Sequence, residues 1–174
     1  MTKIKPRLIA LLIAAVILLT GVYFLTRSKE QTPSSGNLLQ NASFAEKDAE
    51  GMPENWYTDA YFPHADTRYE WTQDGAHIVN NQLNDARFAQ QVSVSPNTLY
   101  CLEGKIKASA EGGWGANLSI EGVYIYPESV FESSGEWQEV RLYGRTGEHQ
   151  QSLTVYARLG GYSGESIGEA WFKD

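Results

Sequence analysis

Beyond residue 36 the chain repeats one pattern: apolar and polar residues alternate with a period of two, in runs of strand length. In residues 98–108, Tyr100, Leu102, Gly104, Ile106 and Ala108 fall on one face, and Cys101, Glu103, Lys105 and Lys107 on the other. Residues 117–125 place Leu118, Ile120, Gly122 and Tyr124 opposite Asn117, Ser119, Glu121 and Val123. Residues 152–160 place Leu153, Val155, Ala157 and Leu159 opposite Thr154, Tyr156 and Arg158. Residues 87–94 set Phe88, Gln90, Val92 and Val94 against Arg87, Ala89, Gln91 and Ser93. Further strands are expected at 37–44, 56–61, 69–72, 76–79, 137–143 and 169–172, with Gly, Pro, Asn and Asp between them. About ten short strands and no sustained helical period predict an all-β antiparallel sandwich or barrel, each sheet with a buried and a wet face.

One segment breaks the pattern. Residues 8–25 read LIALLIAAVILLTGVYFL, without a charge. As a helix this run would span roughly 27 Å, close to the hydrocarbon thickness of a bilayer. Lys3, Lys5 and Arg7 precede it, and Arg27 and Lys29 follow, a balance that favours a cytoplasmic N-terminus. The expected organisation is a cytoplasmic stretch 1–7, a transmembrane signal-anchor 8–25, a polar flexible linker 26–36 and one β domain 37–174. A cleaved signal peptide is the rival, but Val22 to Arg27 offers no small-residue cleavage pattern and no Cys follows the run. Either reading puts the β domain outside the cytoplasm, and the retained anchor holds it at the cell membrane.

Charge then narrows the partners. The net formal charge is −7, but residues 1–30 carry five Lys/Arg against one acid, leaving nine against twenty in residues 31–174. A domain at −11 lacks the cationic footprint that nucleic acid requires. The single cysteine, Cys101, allows no internal disulfide and no cysteine zinc site. His64, His77 and His149 show no metal-ligand spacing, and no nucleophile elbow or phosphate loop is present. The scattered carboxylates read as solvating charge, so no catalytic residue is assigned.

Aromatic residues are the informative excess. All five tryptophans lie beyond residue 36. Trp56, Trp137 and Trp171 adjoin strand ends and are expected in the core. Trp114, between glycines, and Tyr162, in Gly-Gly-Tyr-Ser-Gly, are expected on loops. Tyr57 and Tyr61 alternate away from Trp56, and Tyr156 shares its face with Arg158. Exposed rings beside Arg, Gln and Glu suit sugar binding: a flat ring stacks on the C–H face of a pyranose while polar groups take its hydroxyls. The candidate carbohydrate-binding residues are Tyr57, Tyr61, Arg87, Gln91, Trp114, Glu121, Tyr156, Arg158 and Tyr162. Protein contact uses the same residue types.

The order of motifs resembles carbohydrate-binding modules of families 4, 9, 16 and 22. Asn-Leu-Leu-Gln-Asn-Ala-Ser-Phe at 37–44 and Gly-Met-Pro-Glu-Asn-Trp at 51–56 resemble their opening. Ala-Arg-Phe-Ala-Gln-Gln-Val at 86–92 with Pro-Asn-Thr-Leu-Tyr at 96–100 resembles their middle, and Gly-Glu-Trp-Gln-Glu-Val at 135–140 and Gly-Glu-Ala-Trp-Phe-Lys-Asp at 168–174 their last strands. The resemblance implies a galactose-binding-like jelly roll that binds polysaccharide or cell-envelope glycan on a concave face or at loop tips. It also implies a structural calcium ion, for which Asp174 and Glu46 are the candidate ligands. Lys173 stands where these modules usually carry Asp, and Ala45 where many carry Glu. Such modules commonly run a few residues further, which points to the N-terminal part of a larger membrane protein. The alternative is a protein-binding or sensory ectodomain of the same fold.

Overall fold

The computed structural model describes residues 36–123 and 128–174. The expected membrane anchor at 8–25 lies outside the described residues. Among the described residues there are nine strands: β1 (Tyr57–Ala60), β2 (Thr67–Thr72), β3 (Gly75–Asn84), β4 (Ala86–Ser93), β5 (Leu99–Glu111), β6 (Ala116–Ile120), β7 (Gln138–Arg145), β8 (Ser152–Leu159) and β9 (Ser166–Lys173). They form two antiparallel sheets, one in the order β1-β4-β8-β6 and the other β2-β3-β9-β5-β7. The all-β antiparallel sandwich expected from the period-two pattern is present.

The inner faces carry the apolar half of each alternation. Phe88, Leu118, Val155 and Leu159 from the four-stranded sheet meet Ile78, Ile106, Leu142 and Phe172 from the five-stranded one. Tyr69 sets its ring edge-on to Phe88 at 5.4 Å, and Phe44 lies 4.6 Å from Trp56, contacts that add to plain burial. Burial pushes the Tyr69 phenol well above its ordinary value, so it stays a donor, here to the Asp59 carbonyl at 2.6 Å.

Three expectations need correction. Residues 37–44 are turns rather than a strand. Asn41 adopts a positive φ of 47°, and its amide group bonds to the backbone of Glu46 and Glu54, holding the segment in a knot that caps the core with Phe44. Trp137 and Trp171 are not core residues. The Trp171-Phe172 pair obeys alternation, and Phe172 takes the inner position, so Trp171 faces out. There it stacks on His77 (4.2 Å, 6°), and Lys107 Nζ lies 4.7 Å from its ring and 5.1 Å from that of Trp137. His77 stands between Glu70 and Glu169, 3.2 Å from each. The side chains of this outer row thus contact one another.

Candidate functional site

The outer face of the four-stranded sheet gathers most of the sequence-predicted residues. Register fixes three rows across it. Asp59, Arg87, Arg158 and Asn117 form the first, and Tyr57, Ala89, Tyr156 and Ser119 the second. Gln91 and Thr154 form the third, extended by Glu121, whose carboxylate accepts from Thr154 Oγ1 at 2.8 Å. Tyr61 follows β1 on the same alternation, with its N–H on the Asp85 carbonyl at 2.9 Å.

Ion pairs hold the first row, the one between Asp85 and Arg158 buried and the one between Asp59 and Arg87 open to solvent. Asp85 accepts from Arg158 Nε at 2.5 Å and from Arg158 Nη2, and also from Arg87 Nη1 at 3.1 Å. Asp59 accepts from Arg87 Nε at 2.8 Å and from Arg87 Nη2. Burial alone would lower the Arg87 pKa, but the Asp59 hydrogen bond and the charge of Asp85 outweigh it and raise it. The guanidinium of Arg87 lies 5.2 Å from the Tyr156 ring, and that of Arg158 lies 5.7 Å from Tyr156 and 5.1 Å from Tyr162. Both rings thus lie within cation–π range of a guanidinium group. Burial and the nearby Glu121 carboxylate raise the Tyr156 pKa, so its hydroxyl remains a donor at neutral pH.

Exposure divides the face. Tyr57, at 52 %, and Asp59 and Gln91 are open to solvent, whereas Asn117, Ser119, Thr154 and Arg158 are buried. Arg158 was expected on a wet face; it faces outward but is only 2 % exposed. Asn117 Oδ1 and Ser119 Oγ are buried beneath this face and have no hydrogen-bond partner among the described residues.

Trp114 and Tyr162 stand at the end of this face, on the loops after β5 and β8. The indole lies flat on the Gly161–Gly164 turn, and Nε1 donates to the Tyr162 carbonyl at 3.1 Å. Any side chain at Gly164 would sit 2.2 Å from the indole Cδ1, so the glycine is what lets the ring lie there.

Sequence reasoning missed Asp59, Asp85, Asn117, Ser119 and Thr154. Asp59 could have been found by alternation with Tyr57 and Tyr61. Asp85 carries no local signal, because its partner Arg158 is far along the chain. A cavity of about 580 Å³ lies elsewhere: between the sheets at the opposite end, lined by Leu39, Leu102, Ile120, Leu153 and Val155. It opens where β9 stops at Lys173 while β5 continues to Leu99. Of the candidate residues it includes only Asp174, whose carboxylate accepts from Lys105 Nζ at 2.6 Å. Among the described residues no three His, Cys, Asp or Glu side chains are grouped so as to hold a metal ion.

No family model matches the chain, and no curated protein does. Solved structures do. A family 4 carbohydrate-binding module aligns with a TM-score of 0.54 and 16 % identity, over 78 % of this chain and 95 % of that one. The family 61 module TmCBM61, solved with β-1,4-galactotriose, aligns with a TM-score of 0.52 and 12 % identity, over 80 % and 96 %. The enzymatically active domain of tailspike protein 4 from bacteriophage CBA120 aligns with a TM-score of 0.54 and 10 % identity, over 79 % of this chain and 20 % of that one. The chain thus shares with these structures the fold of a two-sheet antiparallel β-sandwich.

Proposed function

We propose that this domain is a non-catalytic carbohydrate-binding module held outside the cytoplasm by the 8–25 anchor, with polysaccharide or cell-envelope glycan bound along the outer face of the four-stranded sheet. The observation that carries the reading is the row Tyr57–Ala89–Tyr156, where two rings flank a residue without a bulky side chain and Gln91, Arg87 and Glu121 supply polar groups alongside. A sugar ring stacks on such a surface, and its hydroxyls meet donors and acceptors that are already held in place. The carboxylates beside Arg87, Asp59 and Asp85, are both held by guanidinium groups, which favours binding over acid–base chemistry there. Tethering raises the local concentration of a weak binder at the cell surface.

Affinity electrophoresis of the full chain on a panel of soluble polysaccharides tests this. On any glycan that retards it, Tyr57→Ala and Tyr156→Ala are each expected to weaken retention by about tenfold. Trp171→Ala, on the other sheet, should leave retention unchanged. Equal loss in all three variants, or no retardation by any polysaccharide, removes the reading.

The calcium ion implied by the resemblance would draw on Glu46 and Asp174 and must displace the Lys105 ammonium from Asp174. A calcium site takes six to eight oxygens, so backbone carbonyls would have to join them. The expected result is a melting midpoint that rises with millimolar calcium and falls with chelator. Superimposable melts end this part of the proposal.

A further inference from the structure

At the same end of the sandwich as Trp114, but on the side of the five-stranded sheet, three large apolar side chains stand in solvent: Phe62 at 46 %, Leu83 at 57 % and Ile167 at 36 % exposed. They come from three different parts of the chain and are brought together by backbone ties. The Phe62 N–H donates to Asn84 Oδ1 at 3.0 Å, which sets the β1–β2 loop beside Leu83. Asn84 pairs with Ser166, next to Ile167, and Leu83 Cδ2 reaches toward Gly112. The Phe62 ring also packs edge-on against Tyr61 at 4.6 Å; three exposed apolar side chains on segments tied together in this way make a surface patch rather than scattered apolar residues.

The charges around this crest are of one sign. Glu111 lies directly opposite Ile167 in the β5–β9 ladder, Glu165 is two residues before Ile167, and Asp66 is fixed beside Asn81 by a 2.8 Å backbone bond. None of these three carboxylates has an ion-pair partner among the described residues. Residues 61–66, 81–85, 109–116 and 160–167 contain no Lys or Arg. The nearest cation along the ladder, Arg68, faces the row of Glu169. Elsewhere among the described residues some carboxylates are matched with cations, as in Asp59–Arg87, Asp85–Arg158, Asp74–Lys107 and Glu103–Arg141, and others, such as Glu54, Glu121 and Glu136, are not; the acids at the crest differ in ringing an exposed apolar group.

We propose that the crest of Phe62, Leu83 and Ile167 docks a protein partner that presents Lys or Arg side chains around an apolar contact. Unpaired acids ringing an apolar centre are the complement of such a surface, because steering by opposite charge suppresses other partners. A second copy of this chain would bring acid against acid, and an anionic bilayer would repel the same ring.

The test uses the full chain, purified in mild detergent, and a phage-displayed library of random twelve-residue peptides. Enriched peptides are expected to combine Lys or Arg with a bulky apolar residue. As synthetic peptides they should bind at least about tenfold more weakly to Leu83→Glu and to Glu111→Lys, and more weakly to the wild type as salt is raised. Ile167→Glu serves as the second apolar variant should Leu83→Glu fail to fold. Glycan retention should be the same for Leu83→Glu and wild type, which separates this surface from the sheet face. Enriched peptides without basic residues, no enrichment, equal binding to the variants, self-association through the crest, or crest-dependent binding to phosphatidylcholine vesicles would each overturn the proposal.

Discussion

Replacing Asp85 with alanine should destabilise the domain by about 3–5 kcal/mol, a fall of roughly 10–20 °C in the melting midpoint. The reason is what the substitution leaves behind. Arg158 is 2 % exposed, and both of its ion-pair contacts run to Asp85. Without that carboxylate a guanidinium stays buried against Tyr156 and Tyr162 with no counter-charge. Asp59→Ala is the comparison: its carboxylate is 46 % exposed, and Arg87 keeps Asp85 when it is lost. That change should cost no more than about 1 kcal/mol. Replacing both partners, as Asp85→Leu with Arg158→Met, should recover much of the loss, since a buried pair is worth little against apolar residues of similar volume. Urea melts of the four proteins decide the matter. An Asp85→Ala protein within 1 kcal/mol of wild type would show that Arg158 finds water instead.

The contrast between Asp85 and its neighbours shows what could be read in advance. Alternation identified the outward set Tyr57, Arg87, Gln91, Tyr156 and Arg158, because a strand assigns its side chains to faces with a period of two. Register between strands is a long-range property, so the chain alone did not reveal that Tyr57 and Tyr156 share a row across Ala89, or that Arg158 is closed off from solvent. The same limit produced the error at Trp171. Two large rings in succession each satisfy one face, and only the packing of Phe172 against the core settles which one is inside. Asn41 is a different case. A turn made by side-chain bonds to the backbone competes with strand formation, and residues 37–44 look strand-like until those bonds are seen. The residues expected to place the domain, at 1–35, lie outside the described residues. Localisation therefore rests on the apolar run 8–25 and its flanking charges.

The glycines around Trp114 link stability to the proposed site, and Gly113→Ala is the sharper change among them. Gly113 has φ +51°, and a Cβ there would lie 2.2 Å from the Gly164 carbonyl oxygen and 2.4 Å from that of Glu165. Those contacts are with backbone, so the loops after β5 and β8 must separate. The expected loss is about 2–3 kcal/mol, from left-handed strain and from the displaced loop together. Gly112→Ala next door has φ +74° but no atom closer than 3.5 Å to its Cβ, so only the left-handed term of about 1 kcal/mol applies. Glycan retention should follow the same order. Trp114 rests on the turn that Gly113→Ala pushes away, and its N–H bonds to Gly164 at 3.3 Å, so the indole loses its seat and Tyr162 its neighbour. On a polysaccharide that binds, Gly113→Ala should therefore lose retention at least as far as Trp114→Ala, while Gly112→Ala stays near wild type. If Gly113→Ala melts early yet binds normally, the Trp114–Tyr162 end contributes packing and no sugar contact, and the binding surface contracts to Tyr57, Arg87, Gln91 and Tyr156.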